Sequence, residues 1–371
     1  MNVRSIPKAP LKFGRRLFSS GTVEWLVTPH SLERYTELVN PLWARTQIRA
    51  RVASVERQTA HSVTLTLKPN SNWKGFTAGS HIPVIVEVDG VSQLRFYSPA
   101  NADHQRDRVE LTVTAHEGGV VSNHFVEHAQ PGMLLRIGDA ENDFALPAGQ
   151  RTPLLLISGG SGITPMMSML RTLLHERSHQ PIAFLHYART PDETLYREEL
   201  RRLANRHDEL QLAFSFTRES PGEQHLTGHL TRRHLKALGV DPAAAQTYVC
   251  GPPGLIAATE KLWAKDGLSE RLHIERFVLP EIATDGEATG TLRFTASGVE
   301  VENSGEPILA QAEQAGLTPW AGCRLGICHT CVADVGAGAV RDVRTGEVYT
   351  VENEKIQICI HAPVGDLNID L

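Results

Sequence analysis

Leu154-Leu155-Leu156-Ile157-Ser158-Gly159-Gly160-Ser161-Gly162-Ile163-Thr164-Pro165 is the stretch on which the fold turns. Four consecutive branched apolar residues read as a strand buried on both faces. The glycines after them make a loop, and Thr164-Pro165 opens a helix. Downstream the rhythm repeats, with a strand over 182–187, an Arg/Glu-rich helix, a strand over 210–216 and a strand over 247–250. Strands alternating with helices predict an α/β doubly wound parallel sheet.

Working outward, residues 48–147 have a different pattern. Short β-branched runs over 63–67, 82–86 and 109–113 are separated by Gly, Pro, Asn and Asp. Many short strands with few helices predict an antiparallel β-barrel or sandwich. Ahead of them, Thr28 and Pro29 can start a short helix whose apolar face is Leu32, Tyr35, Leu38 and Val39, and Asn40-Pro41 ends it. A linker rich in Ala, Thr, Asp, Gly and Glu over 282–289 leads to a third unit. At 371 residues, two or three domains are expected.

Composition narrows the class. With 41% hydrophobic and 21% charged residues, the chain is an ordinary globular one, which excludes wholesale disorder and a disulfide-stapled miniprotein. No apolar run approaches the ~18 residues of a membrane span, and the first 20 residues lack the apolar core of a secretory signal, so a cytoplasmic protein is expected. The net charge of −5 is unevenly spread. From Glu281 onward there are 14 acidic and 5 basic residues, a net of −9, leaving +4 for the rest. Such a tail argues against nucleic acid as the main partner.

The motifs supply the chemistry. Cys323, Cys328 and Cys331 stand in C-x4-C-x2-C spacing, with Cys359 following. That is the plant-type pattern of a [2Fe–2S] cluster held by four thiolates, whereas a zinc site more often uses two C-x2-C knuckles. Gly322 and Gly326 let backbone N–H groups approach the cluster sulfides, and His329 reads as a surface-loop residue. Arg95-Phe96-Tyr97-Ser98 closes a barrel strand. An arginine there can pair with phosphate, an aromatic ring can stack on a flavin, and the hydroxyl can bond its polar edge. Gly118-Gly119-Val120-Val121-Ser122 opens a helix whose N-terminal amides suit a pyrophosphate. Gly159, Gly160 and Gly162 permit close approach to a second phosphate group. Cys250-Gly251-Pro252-Pro253-Gly254 follows another strand at the same carboxyl edge. From burial statistics alone, Cys250 reads as a packed, inert thiol.

This ordered set resembles the ferredoxin–NADP reductase-like flavoproteins with a fused C-terminal plant-type ferredoxin, over residues ~47–371. Among them it is similar to the reductase components of bacterial oxygenases and acyl-CoA or fatty-acid desaturases. The resemblance implies a lead-in (1–46), a flavin-binding β-barrel (47–149), an NAD(P)-binding α/β domain (150–281) and an α+β, β-grasp ferredoxin domain (287–371). It implies FAD ahead of FMN, with Tyr97 on the isoalloxazine face, Arg95 at the pyrophosphate, and Gly119, Val121 and Ser122 over the phosphates. Thr164 is implied near the reactive flavin edge, Cys250 near the nicotinamide, and Glu275 with Phe277 as an acidic and aromatic pair at the flavin's edge.

A nicotinamide delivers a hydride while a cluster takes one electron at a time, so the implied activity is an NAD(P)H-dependent flavin/iron–sulfur oxidoreductase feeding an oxygenase or di-iron desaturase. The other class the motifs admit is a redox-sensing regulatory protein. Arg189, Thr217 and Arg218, after two successive strands, favour NADPH over NADH because a guanidinium fork suits a 2′-phosphate. The acidic third unit should meet a basic patch on its acceptor. The basic lead-in offers charge to an anionic membrane surface, a solvated arm being the alternative.

Overall fold

The computed structural model describes residues 40–371 except 89, 142–143, 178, 219–224, 278–287, 323, 325 and 327–328. The helix expected over 28–39 and the basic arm before it lie outside these residues. Asn40-Pro41 opens a 3₁₀ turn (Pro41–Trp43), with Asn40 Oδ1 accepting from the Leu42 N–H at 3.1 Å. An Asn side chain before proline is an efficient N-cap, and proline suits a first helical position.

The first sheet contains β1 (Ile48–Thr59), β2 (Ser62–Pro69), β3 (Ile82–Val88), β4 (Val91–Tyr97), β5 (Val109–Thr114) and β6 (Leu134–Ile137), with α1 (Val120–His128) between the last two. The strand order is β4-β3-β6-β1-β2-β5, antiparallel throughout. In β3 the period of two is plain: Ile82, Val84 and Val86 are buried, and Glu87 faces out. Phe125 of α1 plugs the interior. The outermost strands β4 and β5 share no ladder, so the sheet is a half-barrel.

The second sheet is built from β7 (Leu154–Gly159), α2 (Ile163–His175), β8 (Ile182–Ala188), α3 (Arg197–Ala204), β9 (Leu210–Phe216), β10 (Leu226–Thr227), α4 (Arg232–Ala237), β11 (Gln246–Cys250), α5 (Pro253–Lys265) and β12 (Leu272–Glu275). Its order is β10-β9-β8-β7-β11-β12, and every pairing is parallel. All residues of β7 and β8 are buried, as strands sandwiched between two helical layers must be. Helix α2 starts one residue before the expected Thr164, after a 3₁₀ turn over Gly160–Gly162.

The third sheet contains β13 (Thr291–Phe294), β14 (Val299–Glu302), β15 (Val332–Asp342), β16 (Val348–Gln357), β17 (His361–Val364) and β18 (Leu367–Ile369), with α6 (Ile308–Gln314) after β14. The order β14-β13-β18-β15-β16, a parallel β13–β18 pair and α6 packed on the sheet give the β-grasp arrangement. Among the described residues no helix is long and apolar enough to cross a membrane.

The first two units share a core. Ala78, Ala100 and Phe144 from the half-barrel side pack in one cluster with Met166, Met169 and Leu170 of α2. Polar links reinforce the seam: Ser168 Oγ donates to the Asn101 carbonyl at 2.9 Å, and the Asp103 N–H to Thr172 Oγ1 at 3.1 Å. At its centre Arg171 grips Glu199 with two parallel bonds of 2.8 and 2.6 Å, and reaches Glu110 at 3.0 Å and the Ala100 carbonyl at 2.7 Å. Its guanidinium also lies over the Tyr196 ring, 5.1 Å from the centroid. Removing one member of a largely buried ion pair costs about 3–5 kcal/mol, because the remaining charge is stranded. Arg171→Met is expected to lose roughly the lower end of that range, since the pair retains some solvent contact. Calorimetry should show a lowered melting transition that splits as the two units uncouple.

Candidate functional site

The site begins where β7 and β11 end side by side, with Ser158 opposite Cys250. The loop after β7 then lies directly on the loop after β11. A Cβ added to Gly162 would stand 2.3 Å from the Cys250 carbonyl oxygen, and one on Gly251 would stand 2.9 Å from the Gly159 nitrogen. Only glycine allows this approach, which explains the glycine run physically. Gly160 takes φ +52°, Pro252 packs against Gly159, and buried Thr164 donates its hydroxyl to the Ser161 carbonyl at 3.2 Å. The two glycine loops expected to form one ligand edge therefore do meet.

The neighbouring strand adds a carboxyl group. Glu275, the last residue of β12, sits in register with Cys250. Ser98, just past β4 of the half-barrel, donates its hydroxyl to the carboxyl at 3.4 Å, and the Cys250 thiol hydrogen-bonds to it as well. Burial pushes the Glu275 carboxyl up, with bonds from His81, Ser98 and Cys250 opposing that shift. Burial, helped by the carboxylate, also pushes the Cys250 thiol well up. A protonated thiol is thus the resting form of Cys250, which is not a nucleophile here. Phe277, two residues on, is partly buried against the shared core.

Sequence reasoning missed His81. It is buried, its Nδ1 lies 3.5 Å from Glu275 Oε1, and its Nε2 lies 3.2 Å from Glu141 Oε2. Phe96 meets this imidazole edge-on, with centroids 5.3 Å apart.

On the half-barrel side, Tyr97 meets Phe125 edge-on at 6.1 Å, and burial pushes its phenol above the usual range. Arg95 donates to the Leu94 carbonyl at 2.7 Å; burial lowers its pKa, and nearby Arg324 of the third unit adds to this against Tyr97. Helix α1 begins at Gly119 without a side-chain cap, so its first-turn N–H groups are free for an anion. Gly118 turns the chain into it with φ +72°, and Val121 and Ser122 are buried beside it. A Cβ on Gly119 would fall 2.3 Å from Ser122 Oγ, so any larger residue there would have to turn the Ser122 hydroxyl aside. At the far end of the sheet, the Arg218 N–H donates to the Arg189 carbonyl and the Thr217 N–H to the Ala188 carbonyl, both at 3.0 Å. Arg189, Thr217 and Arg218 therefore converge where β8 and β9 finish, and Arg189 also lies 3.9 Å from Glu193.

In the third unit Cys331 and Cys359 are buried and their sulfurs hydrogen-bond. The Cys359 thiol is the main reason that Cys331 is pushed down to about 6, against the opposing effect of burial. Arg324 and Arg344 both lie close to Cys359, and Gln357 donates to the Gly326 carbonyl at 2.7 Å, pinning the loop. His329 is exposed, in keeping with a surface-loop residue. Cys323 and Cys328 lie outside the described residues. Two buried cysteine sulfurs in contact, with Arg324 and Arg344 close by, fit a thiolate-bound anionic cluster. The uncapped helix and the buried Ser98–Glu275–Cys250 group fit a phosphate-bearing ring cofactor at the seam.

Comparison with known proteins agrees. Residues 50–144 match the oxidoreductase FAD-binding domain, 156–261 the oxidoreductase NAD-binding domain and 293–363 the 2Fe-2S iron-sulfur cluster binding domain. An NADPH oxidoreductase of Mycobacterium tuberculosis is 35% identical over 93% of this chain and 90% of its own. The glycine betaine monooxygenase reductase subunit of Pseudomonas aeruginosa is 29% identical over 80% and 87%. Phthalate dioxygenase reductase shares the fold, with a TM-score of 0.60 at 22% identity over 87% of this chain and 97% of that one. The chain belongs to the ferredoxin–NADP reductase-like flavoproteins that carry a C-terminal [2Fe–2S] ferredoxin domain. It is an NAD(P)H-dependent flavin/iron–sulfur oxidoreductase.

Overpacking a tight contact costs about 1–3 kcal/mol, and a ~1 Å misplacement near reacting groups can cost ~100-fold in rate. Gly162→Ala should therefore remain folded with a lowered melting temperature, while anaerobic bleaching of the flavin by NAD(P)H slows roughly a hundredfold. Stopped-flow absorbance checks this.

Proposed function

We propose that the chain takes electrons from NADPH in preference to NADH and delivers them through FAD and the [2Fe–2S] cluster to a partner oxygenase or fatty-acid desaturase. The observation that carries the reading is the meeting of Ser98, Cys250 and Glu275 at the seam of the FAD- and NAD-binding units, one residue from the first and two from the second. The bound flavin supplies the conversion of a two-electron hydride into single electrons.

The protein's own residues position and shield. Arg95 and the first turn of α1 hold the cofactor's phosphates, with Gly118, Gly119, Val121 and Ser122 forming the cradle. Tyr97, beside Phe96, lies along the ring, and Phe277 guards its edge. Gly159, Gly160 and Gly162, with Gly251 and Pro252, admit the nucleotide backbone; Thr164 and Cys250 line the place where the nicotinamide arrives. Because the thiol is held neutral, it packs against a nicotinamide without competing as a charge. Cys323, Cys328, Cys331 and Cys359 hold the cluster. The domain limits proposed are those given by the sequence, 47–149, 150–281 and 287–371.

Arg189, Thr217 and Arg218 support NADPH, since together they offer a hydroxyl and two guanidinium groups to a 2′-phosphate. The mycobacterial relative, an NADPH oxidoreductase, points the same way. The reductase subunits among the relatives support an oxygenase acceptor, and the acidity of the third unit fits a basic docking face on it.

Two variants test the reading. Arg218→Ala should raise KM for NADPH by roughly tenfold or more, the loss of a charge-assisted pair worth about 1.5–3 kcal/mol, while barely changing NADH kinetics. Equal effects on both nucleotides, or a wild-type preference for NADH, would refute the assignment. Cys328→Ser should abolish the cluster's paramagnetic signal while nucleotide still bleaches the flavin. A folded, flavin-loaded variant that had lost flavin reduction would reverse the proposed electron order.

A further inference from the structure

Of the large apolar side chains among the described residues, Trp320 is the most exposed, at 85%, and it stands in the segment that leads into the first cluster cysteine. We propose that Trp320 is the anchor on which the external electron acceptor seats, the indole entering an apolar pocket of a protein whose surrounding surface is basic. Tryptophan is prominent among the few side chains that carry most of the energy of protein–protein contacts. The proposal rests on the reading that electrons leave the chain from the [2Fe–2S] cluster. Each docking then passes one electron, which oxidises the reduced cluster and reduces the acceptor.

The residue is held in place from both sides. Helix α6 ends in a turn through Gly316, with φ +83°, and the Leu317 N–H donates to the Ala312 carbonyl at 3.0 Å. Leu317 and Ala321 both pack against the core of the third unit, so only Thr318-Pro319-Trp320 stands between two fixed points. Pro319 stiffens that short span further. Beyond it, Arg324 of the cluster loop is tied back to Glu313 of α6 at 2.8 Å. An indole presented on so short and anchored a segment loses little freedom when it is covered.

Its place suits an electron exit. Trp320 precedes Cys323 by three residues, so their α-carbons are at most about 11 Å apart. On the other flank of the cluster loop, Val332 follows Cys331 directly and is 39% exposed. Arg324 lies close enough to Arg95 of the half-barrel for the two charges to oppose each other, which sets the cluster loop beside the internal donor. Trp320 keeps its exposure in that arrangement, so the chain's own half-barrel does not cover it.

The charge around this spot selects the occupant. Val332 and Asp334 alternate outward along β15 as it runs away from the cluster, and Glu352 and Glu354 are exposed on the paired strand β16. Apolar groups therefore stand next to the cluster ligands and carboxylates farther out, the centre-and-rim pattern of a docking face. With 14 acidic and 5 basic residues from Glu281 onward, the unit repels an anionic membrane surface and a second copy of itself, and attracts a basic protein.

The test uses the flavin- and cluster-loaded full chain with NADPH and two acceptors: ferricytochrome c, a basic one-electron protein, and ferricyanide, which needs no docking pocket. In Trp320→Ala, kcat/KM for cytochrome c should fall about thirtyfold through KM, the scale of a tryptophan anchor. Trp320→Phe should recover most of it. Ferricyanide reduction, the melting temperature and the paramagnetic signal of the reduced cluster should match wild type in both variants. Unchanged cytochrome c kinetics in Trp320→Ala, or an equal loss with ferricyanide, would overturn the anchor. So would a Trp320-dependent dimer in sedimentation, or Trp320-dependent binding to vesicles of phosphatidylserine and phosphatidylcholine. Cytochrome c reduction at the wild-type rate in Cys328→Ser would instead count against the reading that electrons leave through the cluster.

Discussion

The contact of the Gly162 α-carbon with the Cys250 carbonyl is the constraint on which the rest depends. It forces the loops after β7 and β11 together at the carboxyl edge of a parallel sheet, where a chain reversal leaves room for a ligand. With that edge fixed, β12 lies alongside β11 and delivers Glu275 beside Cys250. What remains is to bring the half-barrel's Ser98 against the same carboxyl group. A shared core and the Arg171 grip on both units accomplish this, so the site belongs to a seam and not to either unit alone.

How legible each part was in the sequence follows from the range of the interactions that make it. The strand over Leu154–Gly159, the glycine loops and the Gly119 helix start are local, written in consecutive residues. Glu275 and Phe277 came only by resemblance, because nothing adjacent to them says that a carboxyl is buried. His81 had no signal: its partners lie 60 residues away at Glu141 and still further at Glu275, and a histidine at a strand start reads as nothing in particular. The 3₁₀ turn that Asn40 caps was not foreseen, since capping residues and proline serve both ends of a helix. The half-barrel's unjoined edges were invisible as well, because strand count does not reveal closure.

Charge is handled differently in the two redox regions. At the seam, burial keeps Glu275 and Cys250 toward their neutral forms, and hydrogen bonds substitute for counter-ions. In the third unit, net acidic overall, Arg324 and Arg344 sit close to the cysteine sulfurs while Glu313 and Asp342 hold them in place. A thiolate centre inside an acidic domain needs such local cations, and the acidity is left to the outer surface.

The strand that carries Glu275 is also the last of its sheet, and only 15 residues separate its end from Thr291 at the start of β13. Fully extended, that segment spans at most about 50–55 Å. The cluster domain is therefore confined to a small volume around the site that feeds it, equivalent to a local concentration of order millimolar. The internal handover is then insensitive to dilution, and only the handover to the external acceptor obeys mass action.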